Sequence, residues 1–254
     1  MKERLRFELG FLEIGRKREP GESAMRVILD HKSDDPASMV MSEAGVPQSL
    51  SPWNHSRGKR MFDFVAAGVV LLPCLPLMAL IAAAVAVTSR GPVLFRQKRV
   101  GENERAIELL KFRTMLHNLG SAGPGVTRSG DPRITPIGRF LRRCKLDELP
   151  QLLNVLRGDM SLVGPRPDLE EFCQALGPEH RLVLTLRPGL TGWATLHFRN
   201  EEQLLAAVPK EQLVSYYRET ILPQKAQLDM AYAERATFLG DLAILGGTFL
   251  TLFR

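Results

Sequence analysis

Several familiar chemistries are missing from this 254-residue sequence. It has three cysteines, Cys74, Cys144 and Cys173, with no CxxC pair and no zinc spacing. They read as reduced, ordinary residues, which excludes a disulfide framework. The five histidines (His31, His55, His117, His180, His197) are scattered, and no HExxH occurs. A Walker A loop and a Rossmann glycine fingerprint are also absent. Aromatic residues make up only 7%, and just Phe95, Phe112 and Phe140 fall in the most basic stretch. That is too few for the interleaved stacking of a nucleic-acid surface, so no nucleic-acid partner is expected. The charged start runs into no apolar stretch, so no secretory signal is expected. There is no internal repeat.

What is present is unevenly placed. Hydrophobic residues reach 44%, enough for a core, and the net charge is +6. Residues 1–58 carry nine basic and nine acidic side chains; residues 59–89 add +1. Residues 90–146 hold thirteen basic against four acidic, and residues 147–254 hold ten against fourteen. The positive excess therefore follows directly on a hydrophobic segment, Phe64–Val87, which has 24 residues and no charge. As a helix it would be roughly 36 Å long, enough for a bilayer core of ~30 Å.

A plain membrane anchor does not need Pro73 and Pro76 in its middle, where each removes a helical hydrogen bond. Both flanks are also positive: Lys59 and Arg60 before, then Arg90, Arg96, Lys98 and Arg99 after. The positive-inside rule puts both ends on the cytoplasmic side. Together these features predict a broken, re-entrant hairpin. Before it, a variable tail carries short helices near Leu5–Ile14 and a disordered stretch at Ser33–Ser56. After it come short strands at Val93–Arg96 and Ile107–Arg113, then a Gly- and Ser-rich mobile loop at Leu119–Gly130. Thr135-Pro136 predicts an N-cap and first helical residue, with the helix running to about Cys144. A second helix is expected over Asp147–Arg157, a turn-rich loop over Gly158–Pro167, and an extended start to Arg187–Leu196. Helices follow to the end, with Leu239–Phe253 lying along a membrane surface.

Asp147-Glu148 is the first chemical candidate. Acidic pairs often do no more than complement a helix dipole. Here Arg139, Arg142, Arg143 and Lys145 precede the pair, and cations keep a carboxylate ionised for attack or metal binding. A hard oxygen beside phosphate-binding groups also suits Mg²⁺. The second candidates are Arg113, Arg142, Arg166 and Arg187, since guanidinium groups grip phosphate bidentately. For Arg139 and Arg143, attraction to anionic lipid is an equally good reading. Arg166 lies between Pro165 and Pro167, which restrict its backbone.

A run of motifs resembles one family. It begins Lys59-Arg60-Met61-Phe62-Asp63 and continues through Gly91-Pro92-Val93-Leu94-Phe95-Arg96-Gln97 and Lys111-Phe112-Arg113-Thr114-Met115. Asp131-Pro132-Arg133-Ile134-Thr135, Leu146-Asp147-Glu148-Leu149-Pro150-Gln151-Leu152 and Asn154 to Ser161 follow. Gly164-Pro165-Arg166-Pro167 and Arg187-Pro188-Gly189-Leu190-Thr191-Gly192-Trp193 complete the set. Over residues 59–254 the chain resembles the bacterial sugar transferases, the monotopic polyprenyl-phosphate phosphoglycosyl transferases.

The resemblance implies an α+β, mostly helical fold. It would comprise a variable tail (1–58), a re-entrant membrane hairpin (59–90) and a cytosolic catalytic domain with amphipathic interfacial helices (91–254). It implies transfer of a sugar phosphate from a UDP-sugar to undecaprenyl phosphate, with release of UMP. Asp147 would be the nucleophile of a covalent intermediate, with Glu148 beside it in coordination or proton handling and Mg²⁺ as cofactor. Arg142 would hold the lipid phosphate. Lys111, Arg113, Pro165, Arg166, Pro167 and Arg187 would serve substrate binding. The setting would be the cytoplasmic face of a bacterial inner membrane, in contact with its lipid. A second copy and downstream glycosyltransferases would be partners. Leu75 stands where the family often has serine before the breaking proline, and Thr195 where glutamine is expected. An inactive scaffold of the same fold is the alternative, and it would have lost the acid pair or the arginines.

Overall fold

The computed structural model of the protein describes residues 49–116 and 126–251. The expectations for Leu5–Ile14, for residues 33–48 and for residues 119–125 lie outside the described residues. Ser56 starts the longest element: its Oγ accepts the backbone N–H of Lys59 at 3.0 Å, and helix α1 runs Arg57–Thr88. Its 32 residues form one continuous helix, with Pro73 and Pro76 inside it. The expected interruption is thus not a gap between two helices. A proline removes only its own N–H, so the carbonyls of Val69 and Leu72 lose their usual partners while the bonds on either side persist.

The positive flank of α1 does not face lipid as free charge. Lys59 is buried, with Nζ 2.6 Å from Asp241 Oδ2 and 4.0 Å from Asp63 Oδ1. Asp63 in turn accepts from Ser161 Oγ (2.8 Å) and the Leu162 N–H (3.1 Å). Arg60 donates to the Val155 and Leu156 carbonyls at 2.6 and 3.0 Å. The reading of residues through Ser56 as disordered is also corrected. Pro52–His55 forms a helical turn, and Trp53 Nε1 donates to Asp241 Oδ2 at 2.9 Å while Asn54 Nδ2 donates to the Ala233 carbonyl at 2.6 Å.

Strands β1 (Leu94–Val100) and β2 (Ala106–Phe112) form an antiparallel hairpin, with Leu94 opposite Phe112 and Val100 opposite Ala106. Helix α2 (Pro136–Arg143) starts as its sequence predicts, with Thr135 Oγ1 accepting the Gly138 N–H at 3.0 Å. Gly138 is required by closeness: a Cβ there would stand 2.1 Å from the Thr114 carbonyl oxygen. The expected helix over Asp147–Arg157 is split. Leu146–Glu148 is a single tight turn, and helix α3 occupies Gln151–Arg157 after Pro150. Strand β3 (Ser161–Val163) pairs in parallel with β4 (Gly189–Thr191), so the turn-rich loop contains a strand. The pair is tight, because a Cβ on Gly189 would meet the Gly164 nitrogen at 2.2 Å.

The remaining elements are helical: α4 (Glu170–Cys173), α5 (Trp193–His197), α6 (Glu201–Ala206), α7 (Leu213–Tyr216), α8 (Leu222–Arg235) and α9 (Phe238–Thr251). The fold is mostly helical with a small sheet, as expected. Both ends of α1 pack on the same body. Ala67 and Leu71 join a core with Leu152, Val155 and Tyr232; Ile81 and Val85 join another with Phe112 and Leu141. Its other face is apolar and open, with Val69, Leu72, Leu80 and Val87 between 66% and 87% exposed. The helix is long and apolar enough to serve as a membrane anchor. Phe238, Leu239, Phe249 and Leu250 are likewise exposed on α9.

Candidate active site

The acid pair owes its position to a reversal of the chain. Lys145 follows α2 in the left-handed region (φ 55°, ψ 17°), a conformation costing a non-glycine residue on the order of 1 kcal/mol. The next three residues turn tightly and place Asp147 and Glu148 beside the end of β2. Asn154, wholly buried on α3, fixes that strand: its Oδ1 accepts the Leu110 N–H at 3.1 Å and its Nδ2 donates to the Glu108 carbonyl at 2.8 Å. The next residue along is Lys111.

Lys111 Nζ and Arg166 Nη2 both donate to Glu148 Oε1, at 2.8 and 2.6 Å. Burial opposes the charge on Glu148, but Arg166 and Lys111 outweigh it and hold the carboxyl well below its ordinary range. Asp147 is buried, and its Oδ1 has no hydrogen-bond partner. Burial pushes its carboxyl above the ordinary value, against the opposing pull of Lys111. Two adjacent acids are therefore driven apart: Glu148 is locked and ionised, whereas Asp147 is desolvated with a free oxygen. Such divergence is how sites assign different tasks to like groups.

The chain around Arg166 is held by its neighbours. Pro165 and Pro167 are buried on either side of it. The Pro165 carbonyl accepts the Gly189 N–H at 2.7 Å, and the Asp168 carbonyl accepts the Val100 N–H at 3.0 Å. The Arg166 N–H donates to the carboxylate of Asp229, which also takes the Ala194 N–H. Burial, with Asp168 nearby, pushes the Asp229 carboxyl well above its ordinary value. Asn154 opens one of the family motifs without a role of its own there, and no pattern in the sequence singled out Asp229. Thr195, the departure from the family pattern, has a buried hydroxyl with no partner.

The structure thus brings Lys111, Asp147, Glu148 and Arg166 together. Arg142 lies close enough to pull the Asp147 carboxyl down, and its guanidinium pairs with Glu202. Arg113 is placed elsewhere: its guanidinium donates to the carbonyls of Pro92 and Ser89 (2.6 Å for the latter) and pins the C-terminal end of α1. Arg187 is also apart, 3.0 Å from Glu102, lining an open cleft with His55, Arg57 and Arg60. None of Lys111, Asp147, Glu148 and Arg166 lines that cleft.

A metal would find a partial donor set. Among the described residues no cluster of three or more His, Cys, Asp or Glu could hold an ion by itself. One uncommitted carboxylate oxygen, Asp147 Oδ1, beside cationic phosphate-binding side chains nevertheless fits Mg²⁺, which takes one or two carboxylates and completes its shell with water and substrate phosphate.

An acid pair among cations thus sits on a body that carries a helix long and apolar enough for a membrane anchor. A profile of the bacterial sugar transferase family matches residues 54–254, and the chain belongs to that family. It is 48% identical over 141 residues to a UDP-glucose:undecaprenyl-phosphate glucose-1-phosphate transferase of Caulobacter vibrioides, covering 54% of this chain and 52% of that one. It is 44% identical over 159 residues to an undecaprenyl-phosphate glucose phosphotransferase of Komagataeibacter xylinus, covering 58% and 29%. An exopolysaccharide production protein of Rhizobium meliloti is 41% identical over 202 residues, covering 74% and 81%. The chain thus spans about half or less of the first two relatives and most of the third.

Proposed function

We propose that the protein is a polyprenyl-phosphate glycosyl-1-phosphate transferase working at the cytoplasmic face of the bacterial inner membrane. It moves a sugar 1-phosphate from a UDP-sugar to undecaprenyl phosphate, an early membrane step in making an exopolysaccharide or related glycan. The names of its relatives and the family match support the substrate classes. The observation that carries the mechanism is the buried, uncommitted Oδ1 of Asp147 beside an immobilised Glu148.

In the first displacement an Asp147 oxygen attacks the β-phosphorus of the donor. The bond to the bridging oxygen breaks, UMP leaves with that electron pair, and the sugar phosphate stays on Asp147. In the second, a phosphate oxygen of the lipid attacks the same phosphorus and Asp147 departs as carboxylate. Two displacements suit a donor confined to water and an acceptor confined to lipid. Arg166 and Lys111 offset the charge that accumulates on the phosphoryl oxygens. Glu148, fixed between them, keeps both cations in place. Asp147 would hold Mg²⁺, which supplies charge neutralisation at the phosphates when bound.

In this reading α1 bends at Pro73 and Pro76 and re-enters the leaflet it came from. Two attachments support it: Lys59 and Asp63 hold the start of α1 to the same body that Ile81, Val85 and Arg113 hold at its end. A helix crossing a core of ~30 Å would leave one end beyond reach of that body. Alkaline phosphatase fused before residue 49 or after residue 90 is expected to be inactive in cells, because both points stay inside. Activity from either fusion would show a through-going anchor.

The function itself is tested by purified protein with Mg²⁺, undecaprenyl phosphate and a panel of UDP-sugars. UMP release that needs both the lipid and one particular donor is the expected result. Folded protein that releases none from any donor would reject it.

A further inference from the structure

Arg142, in the last turn of α2, uses its guanidinium unevenly. Its Nη2 donates to Glu202 Oε1, its Nη1 reaches Thr114 Oγ1 only at 3.5 Å, and its buried Nε bonds nothing. A guanidinium presents five donors in a planar fork suited to two-point contact with a phosphate. Here a carboxylate takes one donor, a hydroxyl takes a second at the limit of hydrogen-bond length, and Nε is left without a partner. Glu202 is 39% exposed, which places the pair among exposed ion pairs of small net worth. Arg142 also acts on the Asp147 carboxyl, so an anion bound there would sit next to the nucleophile.

We propose that Glu202 is a stand-in for the acceptor's phosphate: it occupies the Arg142 fork at rest and swings away when the polyprenyl phosphate arrives. This rests on the transferase reading above. The surroundings permit the exchange without unfolding α6. Glu201 is paired with Lys225, and the Glu202 carbonyl accepts the Ser129 N–H at 2.9 Å, so the main chain is held at this point. Displacement then needs only a rotamer change of one exposed side chain. A phosphate dianion gains two-point binding in return. Asp131 and Asp147 also lie within electrostatic reach of Arg142, so losing the Glu202 carboxylate leaves the guanidinium short of one counter-charge, not of all.

The test compares wild type with Glu202→Gln and Glu202→Ala in the full-length protein. The KM for undecaprenyl phosphate is expected to fall about two- to fivefold in both variants, the factor an exposed ion pair represents. The KM for the nucleotide sugar stays put. Inorganic phosphate, inhibiting competitively against the lipid, gains potency by a similar factor. An acceptor KM that is unchanged or higher would overturn the proposal, and a fall confined to the donor KM would overturn the assignment to the acceptor. If wild type turns over no donor at all, the transferase reading fails instead. Calorimetric titration with inorganic phosphate then decides whether the subsite stands: tighter binding in Glu202→Gln supports it, and equal or weaker binding rejects it.

Discussion

Replacing Asp147 by Asn is expected to lower turnover by at least about 10³-fold, since it removes the nucleophile proposed above. The same change should leave the fold intact or raise its melting temperature. Burial pushes the folded Asp147 carboxyl above its unfolded value, so ionising it opposes folding as pH rises through the folded value. An amide of the same shape removes that opposition. Loss of activity with unchanged or improved thermal stability at pH 7–8 therefore separates a chemical role from a structural one. The pH profile of the wild type follows from the same cause. Its acid limb should lie at higher pH than an ordinary aspartate would give, because the carboxyl that must be deprotonated is the raised one. Calorimetry of both proteins, with UMP release across pH, checks the pair of expectations. Substantial turnover in the Asn variant would remove Asp147 from the role of nucleophile.

Glu148→Gln should behave in the opposite way toward stability. Its carboxylate takes hydrogen bonds from Lys111 and Arg166 on one oxygen, and removing it leaves two largely buried cations without their counter-charge. Breaking a fully buried pair costs about 3–5 kcal/mol. Partial exposure of the two cations reduces this to about 2–3 kcal/mol, a drop of about 5–10 °C in melting temperature. The folded carboxyl lies well below its unfolded value, so its stabilisation is present above the unfolded value and is lost only as pH falls through the folded one. The deficit of the variant should hold through neutral pH and close only in strong acid. Activity should fall about 10²-fold or more as Arg166 and Lys111 lose their fixed positions. A variant as stable as wild type at pH 7 would show that the two cations do not depend on Glu148.

Local chemistry was legible where it acts locally. Thr135-Pro136 announced the start of α2, and the β-branched and aliphatic run from Ile107 announced β2. The acid pair stood out because four cations precede it within nine residues. The split at Asp147–Arg157 was harder to read. Lys145 adopts a left-handed conformation with no glycine to signal it, and Pro150 sits where it ends one turn and begins the next helix. Residues acting across long stretches of chain left no local pattern. Asn154 bridges to a strand 44 residues earlier, and Arg142 meets Glu202 across 60. Lys59 reads in the sequence as part of a positive membrane flank, and only the fold reveals its partner, Asp241. Arg113 sits in a motif beside Lys111, and strand alternation would put the two on one face; but β2 ends at Phe112, so Arg113 is free to turn to the end of α1 while Lys111 meets the acids.

The pairing of Lys59 with Asp241 also imposes an order on biosynthesis. The two residues are 182 apart in the chain. At a synthesis rate of about 5–20 residues per second, the lysine emerges roughly 10–40 s before its carboxylate exists. The apolar helix beside it ends at Thr88, so for most of that interval it is complete and able to enter lipid. Lys59 must wait at the bilayer boundary, solvated or held by headgroup phosphates. Helix α9 then captures that waiting charge, so the apolar helix can enter lipid before it is locked into its final seat.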